Sequence, residues 1–175
     1  MTSRGRFISL EGGEGVGKST QVRALAEALR SRGLDVVVTR EPGGSEGAEK
    51  IRELLLSGSE DRWEPKGEAL LFAAARADHV AKTIRPALEA GQWVLADRFI
   101  DSSLAYQGGA GGLGIEAVRA INAFGIGDDF PDRTLVLTLV PETTVAATES
   151  AGVPTTITAR SKPHSTSSQR KSPDE

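Results

Sequence analysis

The chain has 175 residues, 26% of them charged and 38% apolar, with a formal net charge of -3. That length suits one domain with a sizeable core, and the charge gives no general attraction to nucleic acid or an anionic membrane. The absence of cysteine excludes a disulfide framework, a thiolate zinc site and a thiol nucleophile. No apolar run approaches the roughly 18–20 residues that span a bilayer, and the amino terminus enters "RFISLEGG" without a signal peptide's apolar segment. The expectation is an intracellular, cytoplasmic protein with neither nucleic acid nor membrane as partner.

Up to about residue 140, β-branched runs alternate with helical patterns, the signature of a parallel sheet flanked by helices. "RFISL" reads as the first strand and feeds "LEGGEGVGKST". There Gly12 to Gly17, then Lys18 and Ser19, match G-x-x-x-x-G-K-[ST], with Thr20 following. In such a loop, backbone amides cradle nucleotide phosphates, the lysine reaches the outer ones and the hydroxyl holds Mg²⁺. The following helix carries Val22, Leu25, Ala26 and Leu29 at helical spacing, with Gly33 as its stop. A plain glycine-rich turn is the alternative, and the strand-to-helix context argues against it.

"LDVVVT" reads as the second strand, and "TREPGGSEG" continues it toward the same sheet edge. Arg40 there suits an acceptor phosphate, with Pro42, Gly43 and Gly44 shaping a turn. Ser45 caps a helix bearing Ile51, Leu54 and Leu55, which Gly58 ends. A long helical stretch covers about residues 65–90, with Pro86 as a point of bending. In it Phe72 and Arg76 share a face, one able to stack on a planar base and the other to bond its edge. A core phenylalanine beside a solvent arginine is the bland alternative, and His79 reads as a surface or packing residue.

"WVLAD" reads as the third strand, so Asp97 and Arg98 fall at its carboxyl end, where α/β proteins bind ligands. Asp97 suits Mg²⁺, directly or through water, and Arg98 a phosphate. Residues 115–124 read as a helix and "TLVLTLV" as the fourth strand. From Thr143 onward Ser, Thr, Pro and Ala dominate without apolar period, so residues 143–175 read as a disordered or aberrant tail, shifted-frame translation included. Residues 1–142 are then the folded core.

Taken together, "EGGEGVGKST", "TREPGG", "LLFAAARADHV", "PALEAGQWVLADRF", "SSLAYQGGAGG" and "PDRTLVLTLVPE" resemble the thymidylate kinase family in order and spacing over residues 6–142. The resemblance implies a P-loop three-layer α/β sandwich with a parallel sheet in the order 2-3-1-4-5. It implies transfer of the ATP γ-phosphate to dTMP with Mg²⁺, the donor site being Gly12, Gly13, Glu14, Gly15, Val16, Gly17, Lys18, Ser19 and Thr20. By similarity Phe72 stacks on thymine, Arg76 bonds its edge, and Arg98 binds the acceptor phosphate with Arg40 nearby. Tyr106 lies beneath the sugar, Gln107 and Ser103 line the pocket, and Glu14 approaches the sugar hydroxyl and metal. Lys18, Arg98 and Glu14 are thereby the catalytic set, and Ser19 and Asp97 the metal side chains. Homodimerisation through the flanking helices is also implied.

The family's lid, R-x-x-x-R-x-x-x-x-D-R-x-E, has no match: Thr148 stands near its first arginine, and Arg160 and Arg170 lie in other contexts. The fifth strand is likewise expected to be missing, leaving the fourth as an exposed apolar edge. A non-catalytic nucleotide-binding remnant is therefore the competing expectation. A switch GTPase would carry N-K-x-D, which this sequence lacks.

Overall fold

The structure is a computed structural model that describes residues 4–59, 62–139 and 155–161. Five strands form one sheet: β1 (Phe7–Gly12), β2 (Val36–Arg40), β3 (Trp93–Asp97), β4 (Arg133–Leu139) and β5 (Thr155–Ser161), in the order β2-β3-β1-β4-β5. The first four are mutually parallel, and β5 runs antiparallel to β4. Period-two alternation splits β1 between two faces. Leu10 packs with Val22, Ala26 and Leu29 of α1 (Lys18–Arg30), whereas Phe7 packs with Val80, Ile84, Leu88 and Ile126 on the opposite face. Helices thus cover both sides, and the three-layer expectation holds.

The second layer is built from α2 (Glu46–Leu56), α3 (Pro65–His79), α4 (Arg85–Glu89), α5 (Ile100–Ser103) and α6 (Ile115–Ile126). Ser45 caps α2 by accepting from the Ala48 amide at 3.3 Å. Between α3 and α4 the chain winds as a π-helix over Val80–Ile84. Pro86 has no N–H to give the carbonyl four residues back, so the ladder slips to the wider spacing instead of breaking. A second π-helix, Leu104–Ala110, extends α5. Neither π-helix nor α5 was legible from apolar spacing.

The expected absence of a fifth strand is corrected. β5 pairs Thr155 through Ser161 against Leu139 through Arg133. Its opening, Thr155-Thr156-Ile157-Thr158, is a β-branched run that favours extended backbone. β4, apolar at Leu135, Val136 and Leu137, offers the open backbone edge that such a run can join. Part of the residues 143–175 read as tail is thus a strand. Thr148 and the expected lid position, with Arg170, lie outside the described residues.

Deleting residues 155–175 will uncover that edge. We expect more light scattering at equal concentration and a melting temperature lower by roughly 5 °C or more, from lost ladder bonds. Unchanged melting and scattering would show that β4 needs no cover.

Candidate functional site

Parallel register brings three strand ends to one edge, since Asp97 pairs with both Leu10 of β1 and Arg40 of β2. The glycine loop leaves β1 there. Gly12, Gly15 and Gly17 take φ of 143°, 73° and 86°, values that L side chains avoid. At Gly12 a Cβ would also overlap the Leu137 carbonyl, so only glycine lets the loop cross β4 this closely. Val16 turns inward to the core, and Gly17 opens α1, whose amino-terminal amides favour an anion.

Lys18 Nζ donates to the Gly12 and Gly13 carbonyls at 3.0 and 2.6 Å. Burial, seconded by the Arg98 charge, lowers its pKa, while Asp97, Glu11 and Glu14 act the other way. Ser19 Oγ donates to Asp97 Oδ2 at 2.8 Å, so the two expected metal side chains meet. A hydroxyl and a carboxylate are hard oxygen donors suited to Mg²⁺. Among the described residues no group of three or more His, Cys, Asp and Glu could hold a metal by itself.

Beside the loop lies a cleft of about 460 Å³. Glu14, Phe72, Arg76 and Arg98 reach it, with Ser103, Tyr106 and Gln107 from α5 and the π-helix after it. Seven of the expected residues thus share one cavity. Arg40 does not line it. It pairs instead with Glu49 at 3.4 Å and borders a neighbouring cavity of about 500 Å³ that also touches Ser19 and Asp97. Arg52 stands in the first cleft where sequence reasoning had named Arg40. Its NH1 group donates to the Pro42 carbonyl at 2.6 Å.

Arg76 is 3% exposed and all its donors are engaged. Nε donates to Glu41 Oε2 at 2.7 Å, and the terminal nitrogens reach Ser103, Asn122 and the Phe99 carbonyl. Ser103 Oγ accepts from both terminal nitrogens, each at 3.1 Å, so one donor can turn to a ligand while the other keeps the hydroxyl. Glu41 Oε1 also accepts from His79 Nδ1 at 3.0 Å. A carboxylate cannot donate, so Nδ1 carries a proton, and Nε2 shares a hydrogen bond with Thr39 Oγ1 at 2.7 Å. His79 is wholly buried, a packing residue and not a surface one. Gly44 closes over it: φ is 86°, and a Cβ there would overlap both His79 Nε2 and Thr39 Oγ1.

Arg98 adopts φ 72°, the only non-glycine among the described residues with positive φ. Its amide donates to the Leu10 carbonyl at 2.9 Å, NH1 donates to Ser102 Oγ at 3.0 Å, and the guanidinium lies 5.7 Å from the Tyr106 ring centre. Strain of this kind concentrates at ligand-binding positions. Glu11, Glu41, Arg52, Ser102 and Asn122 are the participants that sequence reasoning missed. The available signal was position: Glu11 and Glu41 are acids at strand ends on the ligand edge.

The fold and this edge define a P-loop protein of the kind with a second cleft beside the loop. The family model for thymidylate kinase matches residues 10–153, and the chain belongs to that family. It is 73% identical to a thymidylate kinase of Rhizorhabdus wittichii over 133 residues, which is 76% of this chain and 64% of that relative. It is 51% identical to one of Caulobacter vibrioides over 150 residues, 86% of this chain and 72% of the other. The crystal structure of thymidylate kinase from Ehrlichia chaffeensis superposes with a TM-score of 0.70 at 39% identity, covering 76% of this chain and 71% of that one. The chain thus spans somewhat under two thirds of the Rhizorhabdus relative's length.

Proposed function

We propose that this chain transfers the γ-phosphate of ATP to dTMP, giving dTDP. The observation that carries this reading is the shared cleft. An aromatic ring (Phe72), a buried guanidinium (Arg76) and a second guanidinium at a strand end (Arg98) line one cavity beside the glycine loop. Phe72 stacks on the base, Arg76 bonds its edge and Tyr106 lies under the sugar. Arg98 takes the acceptor phosphate with Arg52 in reach, and Arg40 remains at the rim of the neighbouring cavity. Ser19 and Asp97 hold Mg²⁺, which supplies charge neutralisation on the transferring group.

Phosphoryl transfer asks little covalent work of a protein: two anions are held in line while their charge is offset. Lys18 and Arg98 supply cations from the two sides, and Glu14 meets the sugar hydroxyl. The acceptor oxygen already belongs to a phosphate, so no strong base is needed. The remainder of the proposal is a core of residues 1–142 completed by β5, a cytoplasmic location and a homodimer. The last is supported by apolar Leu70, Ile115 and Phe124, which α3 and α6 leave exposed. No helix among the described residues is long and apolar enough to cross a membrane.

The test is dTDP formation from dTMP and Mg-ATP, with dUMP, dCMP and dGMP in parallel. We expect turnover with dTMP, weaker with dUMP, and none with the other two. A folded chain that binds dTMP without turnover would replace the kinase with the non-catalytic reading.

A further inference from the structure

Glu11 ends the apolar run of β1, directly before the glycine loop, and does not line the cleft. It is 5% exposed, and its side chain lies on the sheet face that carries Phe7 and Ser9. Burial pushes its pKa up, against the hydrogen bonds from Ser102 and the Phe99 amide, with Asp101 adding to the rise and Arg98 opposing it. A buried carboxylate is a weak source of stability compared with an apolar side chain of the same size. Its partners indicate another use.

Oε1 accepts from the Phe99 amide at 2.8 Å, and Oε2 accepts from Ser102 Oγ at 2.6 Å. A serine hydroxyl has a single proton. With that proton committed to Glu11, the Ser102 oxygen has a lone pair for Arg98 NH1, which donates to it at 3.0 Å. The direction of the chain is therefore Arg98 to Ser102 to Glu11. The Arg98 amide is tied to the same strand through the Leu10 carbonyl. One strand thus launches the phosphate loop and anchors the arginine that faces it.

We infer that Glu11 is a positioning residue for the acceptor phosphate: by fixing the Ser102 proton it aims the Arg98 guanidinium into the cleft without touching the nucleotide. This rests on the dTMP-binding reading above. Glu11→Gln keeps the side-chain shape but reverses the link. Its amide oxygen must stay on the Phe99 N–H, so its NH₂ group faces Ser102 and donates. The serine proton then loses its fixed acceptor, so the lone pair that receives Arg98 is no longer held in place.

Calorimetric titration of dTMP, thymidine and ATP into the full chain, Glu11→Gln, Ser102→Ala and the double variant tests this, with thermal melts alongside. We expect Glu11→Gln to weaken dTMP binding roughly tenfold, the scale of one hydrogen bond to a charged group. Thymidine, which lacks the phosphate, and ATP should bind as before. The double variant should bind dTMP no worse than Ser102→Ala alone, because Glu11 acts through that hydroxyl. Equal losses for dTMP and thymidine, or additive losses in the double variant, would overturn the inference. So would unchanged dTMP binding in Ser102→Ala, which carries the test if Glu11→Gln does not fold. A parent chain that binds no dTMP overturns the functional reading itself, whereas a parent that binds it beside an unaffected Glu11→Gln overturns this inference alone.

Discussion

Arg98→Ala will weaken dTMP binding by about two to four orders of magnitude while leaving ATP affinity nearly unchanged. A guanidinium meets a phosphate through two parallel charge-assisted hydrogen bonds, each worth roughly 1.5–3 kcal/mol. Sequence places Arg98 at a strand end, and the fold supports it from three sides: the Leu10 carbonyl, Ser102 Oγ and the Tyr106 ring. Its φ of 72° stores strain, on the order of 1–2 kcal/mol for a residue with a Cβ. Arg98→Gly separates the two effects, since glycine adopts that φ freely. The glycine variant should lose dTMP as the alanine variant does, yet melt no lower than the parent. Lys18 also gains, because Arg98 is the second of the influences that lower its pKa. Calorimetry with both nucleotides decides the assignment. Equal loss of dTMP and ATP would remove Arg98 from the acceptor side.

The second large effect is on stability. Glu41→Ala should cost about 3–5 kcal/mol, because it strands a buried cation. Glu41 and Arg76 form an ion pair at 2.7 Å with both side chains 3% exposed, and the same carboxylate holds His79 at 3.0 Å. Glu41→Gln should be milder. Its NH₂ group can donate to His79 Nδ1 if the ring moves its proton to Nε2 and donates to Thr39, and its oxygen still accepts from Arg76 Nε. What it loses is the negative charge beside the guanidinium. Urea unfolding compares the three proteins: the midpoint should fall in the order parent, glutamine variant, alanine variant. A midpoint for Glu41→Ala within experimental error of the parent would show that Arg76 finds another counter-charge. Both variants should also weaken thymidine binding, since Arg76 reaches the cleft through the position Glu41 imposes.

Much of the nucleotide edge was legible in advance. The glycine loop is a local device, in which spacing, the preceding strand and the following helix all lie within about two dozen residues. β1 to β4, α1, α2 and α6 were likewise legible because apolar period, capping by Ser45 and glycine stops act over short range. Phe72 and Arg76 were read from helical spacing, Arg98 from its strand end, and Ser103, Tyr106 and Gln107 from the family resemblance, and the fold brings all of them to one cleft. The α5 segment and the π-helix after it escaped because "SSLAYQGGAGG" has no apolar period, whereas the Val80–Ile84 π-helix lies inside a stretch read simply as helical.

What the sequence by itself determined is therefore the identity of the phosphate loop, the first four strands and the residue types at their ends. Tertiary structure decided who partners whom. Glu11 meets Ser102 across 91 positions, Arg76 meets Glu41 across 35, and Arg40 turns to Glu49 instead of the cleft. Those pairings depend on parallel register, which sets strand ends side by side only once the crossover helices have packed. The fifth strand belongs to the same class. A Thr-rich run with no apolar period reads as tail in isolation, and it becomes a strand because the open edge of β4 supplies the backbone partners it lacks.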